Sequence, residues 1–306
     1  MFSGPFSEAS CLEFLVTNQN SDGGWGFHPA APSAVEATAW AVMAILASGP
    51  AASHEVTLAR GRNWLLQAQR DDGSWPAYPG HPQGCWVTSV ASLALFRQGG
   101  AEDAVRQGLQ WVVEAWPAEG TLWRRMREKL FPAHSVRQDS SLRGWSWTPG
   151  TASWVEPTAH ALLLLRAVPA RTLPSGAAQR RELAERMLFD RMCPGGGWNS
   201  GNPLVYGVAG IPRTGPTAWG LMALQDHAGR PEVEQSLNVL EKGVSDIKGA
   251  ASLALAHRAL VTYGRHSASY PSPAGHLDAH QHYFFENILT IAWIILAWRE
   301  EKKNAQ

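Results

Sequence analysis

Residues 19–25 read QNSDGGW and residues 69–75 read QRDDGSW: Gln, three residues, Gly, one residue, Trp, in the same frame. A phrase repeated at such a period marks a repeated supersecondary unit, so it constrains the fold before any single residue does. Aligning on Gly-x-Trp or Gly-Trp gives four anchors, Trp25, Trp75, Trp145 and Trp198. A threonine stands thirteen residues after three of them (Thr38, Thr88 and Thr158), and after Trp198 the interval grows by six, to Thr217.

Each threonine opens an apolar run: EATAWAVMAIL, WVTSVASLALF, EPTAHALLLLRA and GPTAWGLMAL. These runs are rich in Ala and Leu and apolar nearly all round, which predicts buried helices rather than strands. Upstream of the anchors lie more polar helical segments, SEASCLEFLVTNQ, VTLARGRNWLLQAQ, AVRQGLQWVVEAW and QRRELAERMLFDRM, with apolar residues recurring at three and four. Two weaker units follow: PEVEQSLNVLEKG before KGAASLALAHRALVTYG, then an apolar run over 283–298 with no evident polar partner. An all-round apolar helix must be enclosed, and an amphipathic one can enclose it. The expectation is an all-α chain, a single domain over 1–306 built as an α/α toroid of six hairpins with inner and outer helix layers. A basic insertion occupies about 117–143. In this architecture the repeated phrase is structural: Gln holds helix-terminal backbone groups, the Gly makes the turn, and Trp wedges between neighbouring hairpins with its N–H satisfied locally.

Composition narrows the partners. Lysine plus arginine equal aspartate plus glutamate at 26 each, so no net field draws nucleic acid. Three separated cysteines, Cys11, Cys85 and Cys193, contain no CxxC pair and argue against a disulfide framework or zinc ribbon. The first residues lack the basic start and apolar core of a signal peptide, and the run 283–298 is short for a membrane span, so a soluble cytoplasmic protein is expected.

Arg60-Gly61, Trp64-Leu65, Gln69, Gly73 and Trp75 form a complete QW motif of the kind found in squalene–hopene and oxidosqualene cyclases. Phe14-Leu15, Gln19, Gly23 and Trp25 form a copy lacking its basic start, and Met187-Leu188, Gly196 and Trp198 a third with Met192 in place of Gln. The chain thus resembles the terpenoid cyclase/protein prenyltransferase superfamily, over nearly its whole length. That resemblance implies the α/α toroid, a central apolar cavity and an isoprenoid or other lipid-like ligand. Peripheral membrane contact is suggested by the residues themselves: TLWRRMREKLF in the insertion reads as a basic amphipathic helix, able to touch a membrane or a diphosphate, or to lie as an outer helix with a solvated face. The catalytic motifs depart from the family. Where cyclases carry DxDDTA, this chain reads AVEATA and WVEPTA, with Glu36 and Glu156 the only acids in those frames. No DDxxD helix for magnesium is present, and no clean Asp, Cys and His trio for zinc is visible, so neither metal is required by a clear motif.

Two residues before the threonine, where the superfamily points functional groups inward, stand Glu36, Trp86, Glu156 and Gly215, while Glu286 lies near the start of the sixth apolar helix. Buried carboxyls there suit acid–base work, and equally a Glu in a first turn complements the helix dipole. One turn further in stand Trp40, His160 and Trp219, ring faces able to attract a cation or simply to pack an inner ring. Arg213 precedes an inner helix and is placed to meet an anionic group. Asp278, His280 and His282, with His276, alternate in GHLDAHQH, a spacing that can reach one metal or form a solvated loop. The leading reading is a terpene cyclase or prenyltransferase-like protein binding an isoprenoid chain. The alternative is a non-catalytic toroid that binds a lipid or a partner. A six-hairpin glycosidase shares the architecture but wants paired carboxylates in a polar cleft, and the QW phrases count against it.

Overall fold

The computed structural model describes residues 6–49, 51–119, 138–265, 270–273, 275–276 and 286–304. Its eleven helices, counted among the described residues, fall into two layers. The outer ones are α1 (Glu8–Thr17), α3 (Glu55–Ala68), α5 (Glu102–Glu114), α7 (Ala177–Asp190) and α9 (Pro231–Gly243). The inner ones are α2 (Val35–Ser48), α4 (Val87–Gln98), α6 (Val155–Ala167), α8 (Thr214–Ala223), α10 (Ala250–Thr262) and α11 (Ile288–Asn304). Each inner helix packs on the next, α2 on α4, α4 on α6, α6 on α8, α8 on α10 and α10 on α11, and α11 returns to α2. The inner layer is therefore a closed ring, the toroid that the apolar runs predict. A two-stranded hairpin, β1 (Leu204–Val205) with β2 (Val208–Ala209), fills the longer interval before α8.

The two helix types differ as their sequences require. Along α2, Ala37 to Ile45 is buried without a break, and along α10 so is Leu253 to Val261. In α5 burial is confined to one stripe, Val105, Gly108, Leu109, Val112 and Val113, the spacing of a helix with one face on the core.

The thirteen-residue interval has a bonding reason. The backbone N–H of Trp25 donates to Thr38 Oγ1 at 2.9 Å, and the Thr38 hydroxyl donates back to the Trp25 carbonyl at 3.3 Å. Trp75 and Thr88, Trp145 and Thr158, and Trp198 and Thr217 repeat this exchange. Each indole N–H donates at 2.7 Å to a carbonyl in the preceding outer helix, that of Leu15, Leu65, Val112 or Leu188. Three of these acceptors lie ten residues upstream; for Trp145 the distance is 33, because the insertion separates the ring from its helix but leaves the acceptor in the last turns. The glutamines reach onward. Gln69 Nε2 donates to the Gly73 carbonyl of its own turn and to Ala104 in α5, one hairpin along, and Gln19 does the same with Gly23 and Thr57.

Glycine completes the staple. Gly73 turns the chain at φ 82°, and a Cβ there would meet the backbone of Gln107 at 2.7 Å. A Cβ on Gly108 would meet the Trp75 ring at 2.9 Å, so that ring seats against bare backbone of the next outer helix. The wedge between hairpins is thus real.

The ring is also closed by its loops. The residue two beyond an anchor Trp lends its carbonyl to the start of the preceding inner helix. Val35 N–H donates to Ala77, Trp86 to Trp147, Val155 to Ser200, and Ile288 to Phe27. The last bond joins the sixth inner helix to the first unit.

In the third unit Arg180 of α7 replaces the Gln device. It is buried, donates to the carbonyls of Ala115 and Gly144, and lies 3.9 Å from the Trp116 ring and 4.1 Å from that of Trp145. Burial, then the nearby Arg143, lowers its pKa to about 9. Among the described residues no helix is long and apolar enough to cross a membrane.

The staple is testable at Trp75 and Thr88. Trp75→Ala should destabilise by roughly 3–5 kcal/mol, as large buried aromatics do. Thr88→Val should cost about 1–3 kcal/mol by orphaning the Trp75 N–H. Urea melts of both variants measure this, and wild-type midpoints would remove the staple from the account.

Candidate functional site

The inner helices all begin at the same end of the ring, where the loop carbonyls close the circle. Glu36 is the second residue of α2 and Glu156 the second of α6, both half-buried. The N-cap residues of these helices, Ala34 and Trp154, make no side-chain cap bond. Among the described residues neither has a cationic partner. Burial raises the Glu36 pKa to about 8, with repulsion from Glu156 a second cause. Burial raises Glu156 as well, and the Trp219 indole N–H pulls it partly back. The two carboxyls therefore sense each other across the mouth although α4 stands between their helices.

One turn deeper the side chains close into a layer. The sixth residue of α2, α6, α8 and α11 is Trp40, His160, Trp219 and Trp293. Ring centroids lie 5.5 Å apart for Trp40 and Trp219, 6.1 Å for Trp40 and Trp293, and 6.0 Å for Trp219 and Trp293. His160 sits 4.3 Å from Trp219 and 5.9 Å from Trp40, and Trp86 covers it at 5.0 Å. Trp86 in turn meets Trp147 edge to face at 5.0 Å. Trp219 is fully buried and Trp40 only 2 % exposed, so this level, where the sequence leads one to expect open cavity wall, is filled by its own rings.

His160 is held in one tautomer. Its Nδ1 lies 2.8 Å from the Glu156 carbonyl and donates to it, which leaves Nε2 as a lone-pair acceptor. Burial keeps the ring neutral, lowering the pKa to about 3 against the help of that carbonyl, and the distant positive Arg258 adds to the effect. Arg258 of α10 lies beneath the layer, 5.7 Å from Trp40 and 5.9 Å from Trp219, and forks onto Glu300 at 3.0–3.2 Å.

The remaining sequence candidates disperse. Glu286 stands in the turn before α11 with φ 51°, not in the helix, whose second residue is Leu289. Arg213 is exposed and precedes α8 directly. With Trp154, Asn199 and the hairpin it lines a groove of about 420 Å³ beside the mouth. Asp278, His280 and His282 lie outside the described residues, as does most of the basic insertion. Among the described residues no three metal-ligating side chains converge. Trp293 and Trp147 join the site although the sequence reading passed over them. Trp293 would have emerged from laying α11 on α2, and Trp147 from its place two beyond an anchor.

The carboxyl at Glu36 has a thermodynamic signature. Unfolded, it titrates near 4.5; folded, near 8. Between those values the folded chain binds more protons, so its contribution to stability is complete below pH 4.5 and lost as the pH rises to about 8. Glu156 works in the same direction. His160 works in the opposite one, but only below its ordinary 6.5. Between pH 6.5 and 8, Glu36→Gln should therefore gain on the wild type by up to about 2 kcal/mol, at about 1.4 kcal/mol per pH unit. Calorimetric melts of the two proteins should diverge by a few degrees across that window, and parallel curves would mean an ordinary carboxylate.

Residues 7–85 match the family profile of the squalene-hopene cyclase C-terminal domain. A protein from Actinoplanes, known from its crystal structure, superposes with a TM-score of 0.61 at 16% identity, covering 98% of this chain and 100% of that one. A variant of the type II terpene cyclase MstE from Scytonema, in complex with its product merosterolic acid A, superposes with a TM-score of 0.59 at 15% identity, covering 97% of this chain and 96% of that one. The likeness to the squalene-hopene cyclase C-terminal domain thus holds in sequence over the first quarter of the chain, and the fold is shared with these two solved structures over nearly all of it.

Proposed function

We propose that this protein takes an isoprenoid chain at the mouth of its helical ring and moves protons there through Glu36 and Glu156, as a terpene cyclase or prenyltransferase-like enzyme. The observation that carries this reading is the pair of carboxyls, both raised in pKa, set directly over a layer of indole rings. A neutral carboxyl beside ring faces can give a proton to a substrate atom and become carboxylate. The positive charge so formed is attracted to the indoles, by about 2 kcal/mol per desolvated ring. The cation is discharged when a neighbouring C–H bond supplies its electrons to a new C=C bond and its proton returns to a carboxylate.

The level of the Glu36 pKa decides which version of this chemistry is favoured. A group near 8 is a feeble acid toward an unactivated alkene, and this chain lacks the acidic run with which cyclases overcome that barrier. The same group is well matched to a base, or to an acid acting on a basic substrate atom, near neutral pH. The non-catalytic alternative, a toroid that binds a lipid without converting it, is favoured by the closure of the ring layer, where Trp219 is wholly buried.

Incubating the pure protein with farnesyl diphosphate, geranylgeranyl diphosphate and squalene, with mass spectrometry of the extracts, separates the readings. Turnover is expected, and it should fall at least about a hundredfold in Glu36→Gln or Glu156→Gln, the scale of acid–base catalysis. Both variants should keep stability near pH 6.5 within about 1 kcal/mol, since an amide is tolerated there. Binding without turnover would favour the alternative. Two fully active variants would remove the carboxyls from the mechanism.

A further inference from the structure

Among the described residues the ring layer contains three buried nitrogen atoms without a protein partner: Nε1 of Trp40 and of Trp293, and Nε2 of His160. The fourth, Nε1 of Trp219, is turned to the Glu156 carboxyl. Each such orphan costs about 1–3 kcal/mol, so a cluster of three calls for a reason. All three belong to the sixth residues of inner helices, and the Trp40 ring touches both of the others. The anchor tryptophans Trp25, Trp75, Trp145 and Trp198 show that this chain satisfies buried indoles wherever they are structural.

Two of the orphans are donors and the third is an acceptor. An indole N–H can only donate. His160 Nε2 can only accept, because Nδ1 holds the proton against the Glu156 carbonyl. The fixed carbonyl also fixes the ring, so the direction of Nε2 is set.

We propose that the ligand bears a hydroxyl group, and that this layer is where it is held. Its O–H donates to His160 Nε2, and its oxygen accepts from the indole N–H of Trp40 or Trp293. This rests on the reading that an isoprenoid chain is bound at the mouth, and it names the polar group of that chain. A pure hydrocarbon would leave all three nitrogens orphaned. A carbonyl or ether oxygen would serve an indole and leave Nε2 bare. An ammonium would serve Nε2 and leave every indole bare. A diphosphate would place its charge against a neutral imidazole under two carboxyls. A hydroxyl offers both halves in one atom.

The layer must open for this. Trp40, Trp219 and His160 are at most 4 % exposed, but Trp86 and Trp293 are half-buried, at the edge of the cluster. An opening of the layer would start at these two rings.

Isothermal titration calorimetry with three ligands of one carbon skeleton tests the proposal: geranylgeraniol, its methyl ether, and the hydrocarbon with hydrogen in place of the hydroxyl. The alcohol should bind tightest, by about tenfold over the hydrocarbon for one to two net hydrogen bonds. The ether should fall between them. In His160→Phe the alcohol should lose its advantage over the ether while hydrocarbon affinity stays within about twofold. Equal affinities for all three in the wild type would overturn the hydroxyl assignment and leave isoprenoid binding standing. No binding of any of the three would overturn both. The wild-type series decides the question by itself should the variant fail to fold.

Discussion

A threonine hydroxyl and a tryptophan backbone, exchanging two hydrogen bonds in a dry interior, hold each hairpin of this protein to the head of its inner helix. The exchange matters because a buried peptide N–H without an acceptor is expensive, and the chain turns sharply where no regular structure could provide one. Having fixed the turn, the same tryptophan places its ring under the next hairpin and its indole N–H on the outer helix behind it. One residue thus joins three elements. Repeated four times and closed by the Ile288 to Phe27 bond, the device defines a ring whose inner helices start level with one another. That alignment is what brings Glu36 and Glu156 to one rim and puts Trp40, His160, Trp219 and Trp293 in one plane below it.

The axis of the ring is graded. Carboxyls with raised pKa lie at the mouth, uncharged rings with orphaned nitrogens come next, and the Arg258–Glu300 pair lies beneath. An apolar chain entering from the mouth meets groups able to take or give a proton first, and a full positive charge only at the far side. Burial raises Glu36 and, acting on a group of opposite charge type, holds His160 neutral.

The fold was legible because its determinants are local and repeated. A Trp, a Thr and a thirteen-residue interval can be counted in a string, and the structure turns that count into two hydrogen bonds. Glu36, Glu156, Trp40 and His160 were legible for the same reason, since each sits at a fixed offset from a counted threonine. The sixth unit has neither anchor nor threonine in that frame. Trp293 therefore stands at no countable offset, and Glu286 lies in the turn two residues before its helix. The closing of the ring layer was not legible at all, because it depends on four residues from 40 to 293 meeting across the axis. Nor was the tautomer of His160, which a main-chain carbonyl one turn back decides.

The account stands on the mouth of the ring being the place where an isoprenoid chain is bound. Photolabelling with a diazirine-bearing geranylgeraniol, followed by peptide mapping, locates that place directly. Adducts are expected on the starts of the inner helices, in peptides carrying Glu36 to Trp40, Trp86, Glu156 to His160 and Trp219, and competition with unlabelled geranylgeraniol should remove them. Adducts confined to the outer groove lined by Leu95, Phe96, Val105 and Leu109 would contradict the account.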